Sequence, residues 1–131
     1  MAAVRVLIVD DSQPWRCAVC LVLQQNLDLV LICECSDGLE AVRKSEDLQP
    51  DLVLLDIGLP NLNGLEVARQ VRKVSPGSRI IFLTSHDDPE YLQEALRIGA
   101  LGFIVKSNAA SDLLPAVRAV MNDERFFRSG V

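Results

Sequence analysis

Five short apolar runs, each followed by a stretch with helical spacing, constrain this chain more than any other feature of its sequence. They lie at Val4 to Val9, Leu29 to Cys35, Asp51 to Leu55, Arg79 to Leu83 and Leu101 to Val105. The first is rich in β-branched residues, and Leu52 to Leu55 is apolar on both faces. That composition suits strands covered on both sides inside a parallel sheet. Strand and helix alternating five times require right-handed crossovers and helices on both faces of the sheet.

The expected fold class is therefore α/β: one three-layer, doubly wound domain over residues 1–131, with a parallel five-stranded sheet in the flavodoxin-like order 2-1-3-4-5. Local signals place the helices. Ser12 is a good N-cap and Pro14 falls in the first turn, where a missing N–H does no harm. Ser75-Pro76-Gly77 stops the third helix, His86-Asp87-Asp88-Pro89 opens the fourth, and Gly99 closes it as a C′ residue. Pro115 would cost about 3 kcal/mol in a helix interior, so Ser107 to Ala110 is expected as loop and the last helix should begin no earlier than about Ala110. No repeat, linker or low-complexity segment precedes the final Phe126 to Val131, which is assigned to none of the five strands or five helices.

Composition excludes several function classes. Lys plus Arg number 13 and Asp plus Glu 18, a net charge of −5, so these residues have no electrostatic footprint for nucleic acid. No apolar run approaches the ~20 residues of a membrane span, and Met1 to Arg5 lead straight into a strand, so a cytoplasmic location is expected. Cys17 and Cys20 fall in a helical pattern, while Cys33 and Cys35 alternate in a strand. Thiols so placed are expected to be small buried hydrophobes rather than a zinc or redox site.

The chemistry concentrates where the runs end. Strand one ends in Asp10-Asp11, strand three in Asp56, strand four in Thr84 and strand five in Lys106. The order 2-1-3-4-5 sets strands one and three side by side at the switch point, so the three carboxylates should converge. Gathered acids repel one another unless a cation or proton intervenes. Mg²⁺, or Mn²⁺ in its place, suits a carboxylate set that also receives phosphate oxygens. Lys106 supplies a mobile charge for Asp56 or an incoming phosphoryl group, and Thr84 a hydroxyl donor. Singly each has a plainer role: Asp10, Asp11 or Asp56 as a cap, Thr84 in a loop, Lys106 as surface. Together they suit phosphoryl transfer onto a carboxylate, with Asp56 as nucleophile.

Val6-Leu7-Ile8-Val9-Asp10-Asp11-Ser12, Leu54-Leu55-Asp56-Ile57-Gly58-Leu59-Pro60 with Gly64, Leu83-Thr84-Ser85-His86 and Gly102-Phe103-Ile104-Val105-Lys106 resemble the receiver domain of two-component response regulators. Asp56 to Glu66 and Ala95 to Phe103 resemble its LuxR/NarL-type branch. The resemblance implies Asp56 as phosphoacceptor, Mg²⁺ bound by Asp11, Asp56 and the Gly58 carbonyl with Asp10 assisting, and Thr84 and Lys106 on the phosphoryl group. Phe103 matches an aromatic that turns inward on activation. A sensor histidine kinase is the implied phosphodonor. Implied outputs are a homodimer formed on phosphorylation and DNA contact only through a C-terminal helix-turn-helix domain, which does not follow Val131. The chain would catalyse its own phosphorylation and dephosphorylation and no other reaction. Two alternatives from the residues are a stand-alone receiver acting by protein contact and a Mg²⁺-dependent phosphatase working through an aspartyl phosphate. A third, a flavin-type cofactor binder, has few aromatics to flank an isoalloxazine. Ser107 follows the lysine where the family often has a cis proline, which leaves the geometry of that peptide bond open.

Overall fold

A computed structural model describes residues 3–85 and 88–128. His86 and Asp87, read as the opening of the fourth helix, and Ser129 to Val131 at the tail lie outside the described residues. The elements are β1 (Val4–Val9), α1 (Gln13–Gln24), β2 (Leu29–Cys35), α2 (Gly38–Leu48), β3 (Leu52–Leu55), α3 (Gly64–Val74), β4 (Arg79–Thr84), α4 (Pro89–Ile98), β5 (Gly102–Val105), a 3₁₀ turn (Lys106–Asn108), α5 (Ala109–Met121) and β6 (Phe126–Arg128). All strand pairings are parallel, in the order β2-β1-β3-β4-β5-β6.

Alternation along the strands separates two apolar layers. Leu7, Val9, Val53, Leu55, Phe82 and Phe103 pack with Ala41 of α2, Val67 and Val71 of α3, and Ala95 of α4. Val6, Ile8, Leu52, Leu54, Ile81 and Ile104 face the other way, onto Val19 and Leu23 of α1 and Leu113, Val117 and Val120 of α5. The helices thus cover both faces, and the three-layer arrangement follows. The helix starts obey local chemistry: Ser12, Asp37, Asn63 and Asp88 each accept a backbone N–H of the first turn. Gly99 ends α4 at φ 94°, in the left-handed region.

Three expectations change, and one geometry left open is settled. A sixth strand lies beyond the expected five: Phe126 and Phe127 pair with Gly102 and Phe103 at the β5 edge. Phe126 packs on the α1/α5 side and Phe127 on the other, the alternation of a strand, and the Phe127 ring stacks on Phe103 with centroids 6.1 Å apart. Helix α5 starts at Ala109 and carries Pro115 inside it. Ser111 and Pro115 are both exposed, so the Ser111 carbonyl that loses its helical partner faces water, which lowers the cost of the break. Of the cysteines only Cys35 is buried; Cys17 is exposed, and Cys20 and Cys33 are half-buried. Among the described residues no further layer covers edge strand β2 or the outer side of α1. The bond after Lys106 is trans. Among the described residues no helix is long and apolar enough to cross a membrane.

Candidate functional site

Parallel strands end together, so the side chains just past them share one edge of the sheet. In the β1/β3 register Val9 lies opposite Leu55, which makes Asp10 and Asp56 neighbours. The ladder continues one step further: Asp56 donates its N–H to the Val9 carbonyl (3.0 Å) and Asp10 to the Cys35 carbonyl (3.0 Å). Both carboxylates are therefore held by backbone on adjacent strands. Beyond Asp56 the chain turns at once, with Leu59 and Gly64 both donating to the Ile57 carbonyl. Gly64 is required there, because a Cβ at that position would come within 2.0 Å of the Asp56 carbonyl oxygen. The start of α3 is pressed against the back of the Asp56 turn.

Carboxylate oxygens of Asp10, Asp11 and Asp56 lie within 4.8 Å of one another. Asp10 and Asp56 are buried, while Asp11 is exposed at the mouth. Lys106 reaches in from the end of β5, with Nζ 2.6 Å from Asp10 Oδ2 and 3.6 Å from Asp56 Oδ2. The lysine read as a partner for Asp56 thus sits closer to Asp10. Burial pushes the Asp56 carboxyl above the usual carboxylate range; Lys106 opposes that rise and Asp10 adds to it. One ammonium among three carboxylates leaves the edge with excess negative charge.

The plainer roles of these acids are partly present. Asp10 Oδ1 accepts the Ser12 N–H at 2.9 Å, and Asp56 Oδ1 lies 3.4 Å from the Gly58 N–H, a long and weak contact. Neither bond uses the oxygens that face Lys106. Gly58 is exposed in the turn, and a Cβ there would meet nothing within 4 Å. Thr84 is fully buried at the end of β4, and Phe103 is fully buried in β5, three residues before Lys106. Two further residues support the site. Arg16 donates to the Asp10 carbonyl at 2.6 Å and pairs with Glu34 at 3.1 Å, bracing the β1 end from α1. Trp15 places its ring 5.1 Å from Lys106 Nζ. Arg16 left no signal in the sequence beyond lying one helical turn past the Ser12 cap.

The donor set fits a hard divalent cation. Mg²⁺ holds oxygens at about 2.1 Å, which sets them roughly 3 to 4 Å apart, so these carboxylates need only a small contraction. Three charged oxygens at an open mouth also leave positions for water or a phosphoryl oxygen.

A doubly wound parallel sheet with an acid pocket and a lysine at its carboxyl edge is the flavodoxin-like architecture of a switch-point site. The response regulator receiver domain family matches residues 6–118, and the chain belongs to it. Over 128 residues it is 32% identical to the response regulator protein VraR of Staphylococcus saprophyticus, covering 98% of this chain and 61% of that protein. A solved LuxR-family response regulator from Aurantimonas superposes with a TM-score of 0.91 at 27% identity, covering 98% of this chain and 91% of that one. The receiver domain of the putative regulator NarL from Mycobacterium tuberculosis gives 0.87 at 30% identity, covering 93% and 98%. Similarity to LuxR/NarL-type regulators is therefore shown at both levels. The chain spans between half and about three fifths of the length of the curated relatives it matches. Receiver domains are phosphorylation-dependent signalling modules, not classical enzymes; they bind Mg²⁺ through acidic residues and work with histidine kinases.

Proposed function

We propose that Asp56 is the phosphoacceptor of a switch charged by a sensor histidine kinase. A carboxylate oxygen of Asp56 attacks phosphorus in line and the bond from phosphorus to the donor histidine nitrogen breaks; the imidazole, already protonated at its other ring nitrogen, takes the bonding pair and leaves neutral. Asp10, Asp11, Asp56 and the Gly58 carbonyl would hold Mg²⁺, which when bound offsets charge on the phosphoryl oxygens. Lys106 moves from the carboxylates to a phosphoryl oxygen, and the Thr84 hydroxyl donates to another. The observation that carries this reading is Lys106 bridging Asp10 and Asp56, which puts a movable cation where the new anion forms.

The added anion biases a two-state equilibrium. Phe103, inside the core and directly behind this edge, is the side chain positioned to register it. The output in this reading is a homodimer formed on phosphorylation and DNA contact through a helix-turn-helix domain supplied elsewhere in a longer protein; the relatives named as transcriptional regulatory proteins support transcription regulation as the end point.

Acetyl phosphate with Mg²⁺ should add one acid-stable, base-labile phosphoryl group per chain, and Asp56→Asn should remove it. Intact labelling in Asp56→Asn moves the site elsewhere, and turnover of an external phosphomonoester, one that is not an acyl phosphate donor, far beyond one equivalent per chain favours a phosphatase instead.

A further inference from the structure

Lys106 has a third partner besides the two carboxylates. Its ammonium stands 5.1 Å from the centroid of Trp15, within cation–π range. Trp15 is fixed from below: its N–H reaches the Ser12 cap at 3.3 Å, and Pro14 restricts the backbone before it. Its indole Nε1 is buried without a hydrogen-bond partner among the described residues. No hydrogen bond of the ring's N–H among the described residues therefore sets its placement, whereas its π-system faces an ion. Trp15 also joins Val19, Val22, Ala109 and Leu113 around a groove between α1 and α5, so it stands between that groove and the acid pocket.

We propose that Trp15 is a positioning residue for Lys106, holding the ammonium beside Asp56 when a divalent cation occupies the carboxylates. This rests on the phosphoacceptor reading above. A cation bound by Asp10, Asp11 and Asp56 takes the lone pairs that Lys106 now uses and repels its charge. An ammonium with only those partners would swing into water. The indole face attracts it without competing for a carboxylate oxygen, so Lys106 stays poised for the incoming phosphoryl oxygen.

The test combines labelling of the 131-residue chain with emission from Trp15, its single tryptophan. Trp15→Leu should slow labelling by acetyl phosphate at saturating Mg²⁺ by about 5- to 10-fold, with Mg²⁺ affinity unchanged by calorimetry. Trp15→Phe keeps an aromatic face and should recover to within about 3-fold of wild type. In a Lys106→Met background, Trp15→Leu should have no further effect on labelling. Mg²⁺ alone, without phosphodonor, should change the emission of wild type, and Lys106→Met should lose more than half of that change. Equal rates for Trp15→Leu and wild type, failure of Trp15→Phe to recover, or the same Mg²⁺-linked emission change with and without Lys106 would each overturn the role of Trp15. In those cases Asp56-dependent labelling leaves the phosphoacceptor reading standing. A wild-type chain that takes no label at all ends that reading, and the positioning role with it.

Discussion

The two ends of the sheet both carry charge, but they use it differently. At the amino edge, Asp51 accepts the Arg5 backbone N–H at 2.9 Å, and the Arg5 guanidinium donates to the Gln49 and Leu48 carbonyls at the end of α2. Arg79 meets Asp123 through two nitrogens, at 2.9 and 3.3 Å. The one ion pair there, Arg79–Asp123, lies in water, while Arg5 and Asp51 each satisfy backbone groups. At the carboxyl edge three carboxylates gather, and one lysine pairs with the two that are buried, Asp10 and Asp56. Matched exposed charge is architecture and contributes little stability. Buried, unmatched charge costs stability, and a cleft that keeps such charge is a candidate functional site, the one on which the proposed function rests.

The largest expected effect tests that asymmetry directly. Lys106→Met would leave Asp10 and Asp56 buried without their ammonium, and should lower unfolding stability at pH 7 by about 2–4 kcal/mol in the absence of metal. Arg79→Met at the other edge, removing an exposed pair, should cost no more than about 1 kcal/mol. Millimolar Mg²⁺ should stabilise Lys106→Met more than wild type and so narrow the first gap, but should stabilise Arg79→Met and wild type equally and leave the second gap unchanged, because only Lys106→Met removes a cation that competes with the ion for the carboxylates. Urea unfolding with and without Mg²⁺ measures all four values. Equal losses at the two edges would remove the distinction.

A steric difference within the carboxyl edge comes next. Gly64→Ala drives a methyl to within 2.0 Å of the Asp56 carbonyl and 2.6 Å of Ile57 Cα, where only backbone could yield. The expected loss is about 2–3 kcal/mol, with slower phosphodonor labelling as the Asp56 turn shifts. Gly58→Ala, two residues past the same aspartate, meets open space and should stay within about 0.5 kcal/mol of wild type. Thermal unfolding of the two variants side by side decides whether the turn is held from the α3 side alone.

How much of this was legible in the chain depended on separation in sequence. Strands β1 to β5 and the convergence of Asp10, Asp11 and Asp56 were readable, because apolar runs and a topological rule fix which strand ends meet. β6 was not: a run as short as Phe126–Arg128 shows no periodicity, and only the adjacent Phe126 and Phe127, which end on opposite faces, hinted at it. The start of α5 was missed because Asn108 makes no side-chain cap and Pro115 argued for a later start. The closer approach of Lys106 to Asp10, and the ring of Trp15 beside it, depend on side-chain reach across β1, α1 and β5, which no local pattern encodes.

Acid titration gives the smallest but most diagnostic contrast, because the carboxylates of the two edges should move stability in opposite directions. In the metal-free protein Asp56 is raised above its unfolded value, chiefly by burial. Between the unfolded value and the raised one the native state holds more protons, so the Asp56 contribution to stability grows as pH falls through that window. Asp56→Asn should therefore stabilise the metal-free chain at pH 7, on the order of 1 kcal/mol, and the advantage should shrink on acidification. Asp123 is lowered by its hydrogen bond and charge contact with Arg79. Its contribution is present above the unfolded value and is lost as pH falls through the native one. Asp123→Asn should thus cause a slight loss at neutral pH that fades in acid and also at about 1 M salt, since the pair is exposed. Denaturant midpoints of both variants and wild type, taken from pH 7 down to pH 3, should diverge in opposite senses. A destabilised Asp56→Asn at neutral pH would mean that the Asp56 charge is already matched within the fold, and that the carboxyl edge resembles the amino edge after all.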